Sequence, residues 1–168
     1  MKKVLVPLDG SSNSQYSVRH VVNEFKKNPQ LEIHVLNVQA PFSKHITRHT
    51  SKRARSEFHL EQSEQALAAA RQTLNSAGIP YIVHTEVGDK AACISDAVSR
   101  LHCDQIVMST ARKSSLLRLV ENSVTNQVIA RATVPVEVIA GDTVPLLERV
   151  GIPAGLGAGV LVLALAIE

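Results

Sequence analysis

Tryptophan is absent from this 168-residue chain, and aromatic residues of all kinds make up only 3% of it. Proteins that hold single-stranded nucleic acid stack its bases on aromatic side chains, so this scarcity argues against such a role. The net charge of +3 is also too small to indicate a nucleic-acid partner. We therefore expect no nucleic-acid-binding function.

Cysteine is scarce as well. The two residues, Cys93 and Cys103, have neither the spacing of metal ligands nor that of a redox pair. Two unpaired thiols suit a reducing compartment. The N-terminal apolar run is too short for a secretory signal, so we expect a cytoplasmic protein.

Motifs of catalysis and metal binding are missing too. The chain has no Gly-x-Ser-x-Gly elbow and no Cys-His family signature, and we predict no catalytic residue. His45 and His49 are four residues apart, but no third ligand lies close to them, whereas zinc needs three or four. We expect a solvated loop there and no metal site.

Apolar runs alternate with helix patterns along the first 140 residues. Strands are predicted at 2–8, 31–38, 81–87, 104–110 and 134–140, helices at 14–27, 56–77, 88–101 and 122–131, and an irregular segment at 39–52. This alternation predicts an α/β fold with an open, parallel, five-stranded sheet and helices on both faces. Ligands of such sheets bind beyond the carboxyl ends of the strands.

Four segments carry a family resemblance: "VPLDGSSNS", "IHVLNVQAP", "VGDKAACISDAVSRLHCDQIVMST" and "NSVTNQVIARATVPVEVI". In this order, across residues 2–140, they resemble the universal stress proteins. The resemblance implies strand order 3-2-1-4-5 in a Rossmann-like, adenine nucleotide alpha hydrolase-like fold. It also implies a non-enzymatic stress-response or regulatory role. The predicted domain is 1–140, followed by a tail at 141–168.

The same resemblance implies a nucleotide site. Members that bind ATP carry Gly-x-x-Gly, nine residues and then Gly-Ser or Gly-Thr after the fourth strand. The glycine positions fall here on Ser109, Arg112 and Asn122, and Ser123 matches the hydroxyl residue. The contacts implied by the resemblance are Asp9, Val38, Met108, Ser109, Arg112, Asn122, Ser123 and Val124.

Replacement of all three glycines changes the expectation. Glycine lets a backbone approach phosphate oxygens closely. Asn122 tolerates a left-handed backbone and can cap a helix, whereas Arg112 fills the space but can pair with phosphate through its guanidinium. We expect binding of ATP or AMP to be weakened or lost, with no required cofactor. The alternative is an ATP- or AMP-binding switch or a slow ATPase.

Several of these residues have a second interpretation that needs no ligand. Asp9 precedes "GSSNS" and fits a turn or helix-cap aspartate equally well. Val38 and Met108, at the ends of apolar strands, fit ordinary core positions. The residue types alone leave both interpretations open.

A basic segment precedes the long helix. No acidic residue occurs from Ile33 to Ser56, which contains five cations: Lys44, Arg48, Lys52, Arg53 and Arg55. A solvated face or loop is the ordinary interpretation. The alternative is contact with an acidic partner or anionic lipid.

Two further contacts are predicted near the C-terminus. The exposed edge of the last strand, Val134–Ile139, could pair with its copy in a homodimer. Val150–Ile167 is eighteen residues without a charge, at the threshold for a membrane span, and three of its glycines, Gly151, Gly155 and Gly159, are four residues apart. The tail then either packs on the domain or an interface, or contacts a membrane through 150–167 and makes the protein a membrane-associated interaction module.

Overall fold

The five predicted strands form one open parallel sheet. The computed structural model describes residues 2–110 and 123–141, without the side chains at 44, 46 and 48. The strands are β1 (Lys3–Pro7), β2 (Glu32–Gln39), β3 (Ile82–Val87), β4 (Gln105–Thr110) and β5 (Val136–Ala140), in the order β3-β2-β1-β4-β5. The helices are α1 (Ser14–Lys27), α2 (Lys44–His49), α3 (Lys52–Ser76), α4 (Lys90–Leu101) and α5 (Val124–Arg131). The predicted α/β class and strand order are confirmed.

Each face of the sheet is covered by its own pair of helices. Successive side chains of a strand point to opposite faces, so alternate residues of one strand enter different cores. Val4 and Val6 pack with α1 and α3 residues such as Leu67, whereas Leu5 packs with α4 and α5 residues such as Ile94. The central strands are therefore apolar on both sides, as parallel sheets require.

The segment predicted as irregular contains helical residues, so this prediction is wrong in part. Residues 44–49 form the short helix α2, which includes the expected loop positions His45 and His49. The helix predicted from Ser56 starts four residues earlier, at Lys52. The physical reason is the Ser51 side chain, which accepts a hydrogen bond from the Ala54 amide and caps the helix.

Two boundaries near the end of the domain also shift. The cap expected from Asn122 is supplied by Ser123, whose Oγ accepts the Asn126 amide at 3.2 Å, and α5 starts at Val124, two residues after the predicted start. The last strand starts at Val136, two residues after the predicted start. Residues 111–122, with Arg112 and Asn122, and the tail residues 142–168 lie outside the described residues. Within the described ranges, no helix is both long and apolar enough to cross a bilayer.

A histidine pair, buried at His34 and half-buried at His84, joins β2 to β3 on the α4 side of the sheet. His34 is 4% exposed, and its Nδ1 lies 2.9 Å from Nε2 of His84, with the two rings edge to edge and close to coplanar. Its Nε2 lies 2.7 Å from the Glu32 carboxylate, which also pairs with Lys3. The carboxylate can only accept, so Nε2 of His34 donates to it and Nδ1 of His34 accepts the N–H of Nε2 of His84.

This geometry predicts that acid destabilises the fold. Burial lowers the pKa of His84 below its ordinary value of 6.5, and the charges of His34 and Arg100 lower it further, against the opposing effect of Glu86. The unfolded chain therefore takes up a proton at higher pH than the folded chain. This contribution to stability is complete above the unfolded pKa and is lost as the pH falls from there towards the folded pKa.

Urea denaturation at about pH 7.5 and about pH 5.5 measures this loss. His84→Gln keeps a side chain that can hydrogen-bond to His34 but removes the titrating group, so we expect a smaller loss in the variant. An equal loss in the two proteins would show that the histidine pair does not sense pH.

Candidate functional site

The site lies where the strand order reverses. From β1 the chain adds β2 and β3 on one side, and then β4 and β5 on the other, so β1 pairs with both β2 and β4. Crossover connections leave the sheet in opposite directions at this point, which opens a crevice at the carboxyl ends of the strands. A cavity of about 120 Å³ lies there. It is smaller than typical ligand cavities of ~300–1,000 Å³, so we expect it to enclose one part of a ligand.

Most of the residues implied by the family resemblance meet at this cavity. Asp9, Val38, Met108, Ser109 and Val124 all line it. Ser123 is not among its lining residues and instead caps α5. The complete lining is Pro7, Leu8, Asp9, Ser11, Ser14, Leu36, Val38, Lys90, Ile94, Met108, Ser109, Val124 and Thr125.

One wall of the cavity is apolar and belongs to the core. Leu36 and Val38 of β2 and Met108 of β4 are buried beneath Ile94 of α4. The core interpretation of Val38 and Met108 is therefore confirmed, and their contact with a ligand stays a prediction for side chains that also face the cavity. Such a surface suits the flat face of a heterocycle.

Asp9 combines a structural role with a position on the cavity. Its Oδ1 accepts hydrogen bonds from the amide and the hydroxyl of Ser11, at 3.0 and 2.7 Å. This is the turn that aspartate favours through its own side chain. Within the described ranges both bonds go to Oδ1, which leaves Oδ2 as an acceptor for a ligand donor.

Two residues hold this turn in place. Asn37, only 1% exposed, donates a 2.7 Å hydrogen bond from Nδ2 to the Leu8 carbonyl, directly before Asp9. Gly10 has a φ of +82°, and a Cβ there would lie 2.9 Å from Cα of Ala66 in α3. The turn therefore needs glycine both for its backbone conformation and for the close approach of α3.

The polar side of the cavity is formed by the starts of three helices. Ser11 and Ser14 lie at the start of α1, Lys90 is the first residue of α4, and Thr125 is the second residue of α5. Helix N-termini present amide donors and a partial positive charge, and Lys90 adds a full charge. The arrangement favours an anionic group on the ligand.

The acidic residue next to Lys90 in the sequence, Asp89, has structural partners of its own. Asp89 caps α4 by accepting the Ala92 amide at 2.9 Å and forms an ion pair with Arg131. The Ala92 hydrogen bond, followed by Arg131, lowers the pKa of Asp89. The Asp89 carboxylate thus stabilises the N-terminus of α4.

Sequence reasoning missed several residues of the cavity. Ser11, Ser14, Lys90, Ile94 and Thr125 line it but were not singled out. A usable signal existed for Lys90, because it opens a helix directly after a predicted strand and so lies at the carboxyl edge. The resemblance directed attention to the segment after β4 instead.

A five-stranded parallel sheet with a cavity at its switch point defines an α/β protein of the nucleotide-binding type. Residues 1–140 match the model of the universal stress protein family. The chain belongs to this family, as its sequence motifs predict.

Individual relatives show the same relationship. The chain is 30% identical over 142 residues to a universal stress protein of Methanocaldococcus jannaschii, covering 82% of this chain and 81% of that protein. The solved universal stress protein UspA of Lactobacillus plantarum has a TM-score of 0.65 at 24% identity, with 82% of this chain and 97% of that one covered. A universal stress protein of Arabidopsis thaliana solved with AMP bound has a TM-score of 0.59 at 16% identity, covering 84% and 92%.

The capping role of Ser123 can be separated from a ligand role. Ser123→Ala removes the acceptor for the Asn126 amide, and we expect the free energy of unfolding to fall by about 1 kcal/mol. Ser123→Asp restores a cap of similar quality and should recover this loss in urea denaturation. No change in Ser123→Ala would contradict the capping role.

Proposed function

We propose that this universal stress protein is a non-enzymatic, cytoplasmic regulatory protein that keeps a weakened site for an adenine nucleotide. The observation that carries the proposal is the cavity at the switch point, where an apolar wall faces three helix N-termini and Lys90. The base would lie against Val38 and Met108, and the phosphate near Lys90. The relative of Arabidopsis thaliana with bound AMP supports this class of ligand.

Two observations indicate that the protein binds a nucleotide without catalysing its reaction. The hydroxyl of Ser11 donates to the Asp9 carboxylate and accepts the Ser14 amide, so both of its hydrogen bonds hold the turn before α1. Burial, with additional effects of Glu86, raises the pKa of the Cys93 thiol, which disfavours the reactive thiolate. We therefore infer that ATP, if bound, is released unchanged.

Calorimetric titration of the full chain with AMP, ATP and adenosine tests the proposal. Lys90→Met removes the charge and should weaken binding of AMP and ATP about tenfold, because a charged hydrogen bond is lost. Adenosine has no phosphate, and its affinity should not change. Arg112→Ala, measured in parallel, tests the prediction that the Arg112 guanidinium can pair with phosphate. Weaker binding of AMP and ATP in this variant would support that pairing.

The matched control is Lys27→Met, which removes an exposed lysine at the far end of α1. It should bind AMP like the unaltered chain. Absence of heat from a folded protein, for all three ligands, would reject the site. ATP hydrolysis above background would favour the alternative of a slow ATPase.

Homodimerisation through the last strand is a second part of the proposal. β5 forms one edge of the sheet. Its Val138 is 37% exposed, and Ile129 of α5, the helix that precedes it in the chain, is 51% exposed. An edge strand offers unpaired backbone groups to a copy of itself, and burial of these side chains would add to the free energy of association.

Val138→Lys should shift the protein from dimer to monomer in sedimentation velocity, because a lysine would be placed in the interface. The opposite edge offers a matched control, since Ile82 of β3 is 47% exposed. Ile82→Lys should leave the dimer intact. A monomeric unaltered chain, or equal dissociation of both variants, would contradict the β5 interface.

A further inference from the structure

A second and larger cavity lies at the β3 edge, away from the residues of the nucleotide site. We call it the α3 groove. It has a volume of about 550 Å³, within the range of ligand cavities of ~300–1,000 Å³. Its lining includes Phe42, Lys52, Arg55, His59, Leu60 and Val87.

The groove exists because α3 is longer than the sheet beneath it. Its 25 residues extend about 37 Å at ~1.5 Å per residue, whereas the six residues of β3 extend about 20 Å at ~3.3 Å per residue. All buried residues of α3 lie from Ser63 onwards. The first three turns therefore overhang the end of β3, and the groove lies beneath them.

The inward stripe of α3 changes character along its length. Leu74, Leu67 and Ser63 follow helical spacing into the core. Continued towards the N-terminus at the same spacing of three or four, the stripe becomes His59, Arg55 and Lys52, which line the groove. These positions lie past the sheet, where α3 has no core to face, so the continuation of the stripe gives the groove a polar and cationic side.

The rest of the groove is apolar and partly exposed. The Phe42 ring lies 4.5 Å from that of His59 and 5.3 Å from that of Phe58, measured between centroids. Leu60 is 58% exposed and Val87 is 47% exposed. A surface with apolar walls and a polar end fits a ligand of matching character.

Arg55 is already arranged for an anion, and His59 beside it carries an unsatisfied polar atom. Nη1 of Arg55 donates to the carbonyls of Thr47 and Thr50, which fixes the guanidinium at the groove while its other N–H groups remain donors. Nδ1 of His59 is buried and has no hydrogen-bond partner in the described part of the chain. A buried polar atom of this kind costs stability unless a ligand or water satisfies it.

We propose that the α3 groove binds a small carboxylic acid with an alkyl body. The carboxylate pairs with Lys52 and Arg55, and the alkyl chain lies over Phe42, Leu60 and Val87. Among the described residues the lining of the groove contains two cations and no acidic residue, so charge complementarity selects an anion. The groove shares no lining residue with the nucleotide cavity, so its occupancy does not depend on the proposed nucleotide site.

Titration of the isotope-labelled full chain with octanoate, followed by amide chemical shifts, tests the proposal. We expect saturable shifts at Phe42, Leu60 and Val87, and a much weaker response to 1-octanol, which has the same chain without the charge. Lys52→Met should weaken octanoate binding about fivefold, as expected when one ion pair is lost.

Arg53→Met is the matched control. Arg53 is the next residue of α3, but it pairs with Glu57 and does not line the groove. This variant should bind octanoate like the unaltered chain. Equal responses to octanoate and 1-octanol, equal losses in the two variants, or shifts only at residues outside the groove would each overturn the proposal.

Discussion

The position of β1 between β2 and β4 is the constraint on which the remaining structure depends. Its residues Val4, Leu5 and Val6 are at most 2% exposed, because helices cover both faces of the strand and neighbours pair with both edges. A strand of this kind must be apolar throughout. The chain places β2 and β3 on one side of β1 and then crosses back to place β4 and β5 on the other side. The crevice at its carboxyl end follows from this path.

The crevice explains why polar groups gather at one edge. Each parallel strand ends there and each following helix starts nearby, so Asp9, Lys90 and Thr125 come from three separate segments. The residues that hold this edge together tolerate little substitution. Gly10 has no room for a Cβ, and Asn37 donates a buried hydrogen bond to the Leu8 carbonyl. The α3 groove arises differently, from a helix that continues past the sheet and loses its apolar partner.

The sequence predicts those elements whose signal is local. Helix α1 has the predicted bounds, because apolar residues recur at helical spacing between the turn at 9–13 and Pro29. The segment 39–52 has no such periodicity, so its helix α2 and the start of α3 after the Ser51 cap were not predicted. The hydrogen bond of Asn37 to Leu8 and the meeting of Lys90 with Asp9 at one cavity join distant segments, so a pattern along one segment could not reveal them, although it could place Lys90 at the carboxyl edge of the sheet. The family resemblance indicated Asp9, Val38 and Met108 as residues of the cavity. It did not indicate Lys90, because the family's phosphate contacts lie on the glycines that this chain lacks.

The central claim is that the crevice beside β1 still accepts a nucleotide although the loop glycines have been replaced. A crystal structure of the full chain grown with saturating AMP tests this most directly. We predict density for the base against Val38 and Met108 and for the phosphate within hydrogen-bond distance of Lys90. An empty crevice at saturating AMP, or AMP bound elsewhere on the protein, would contradict the claim.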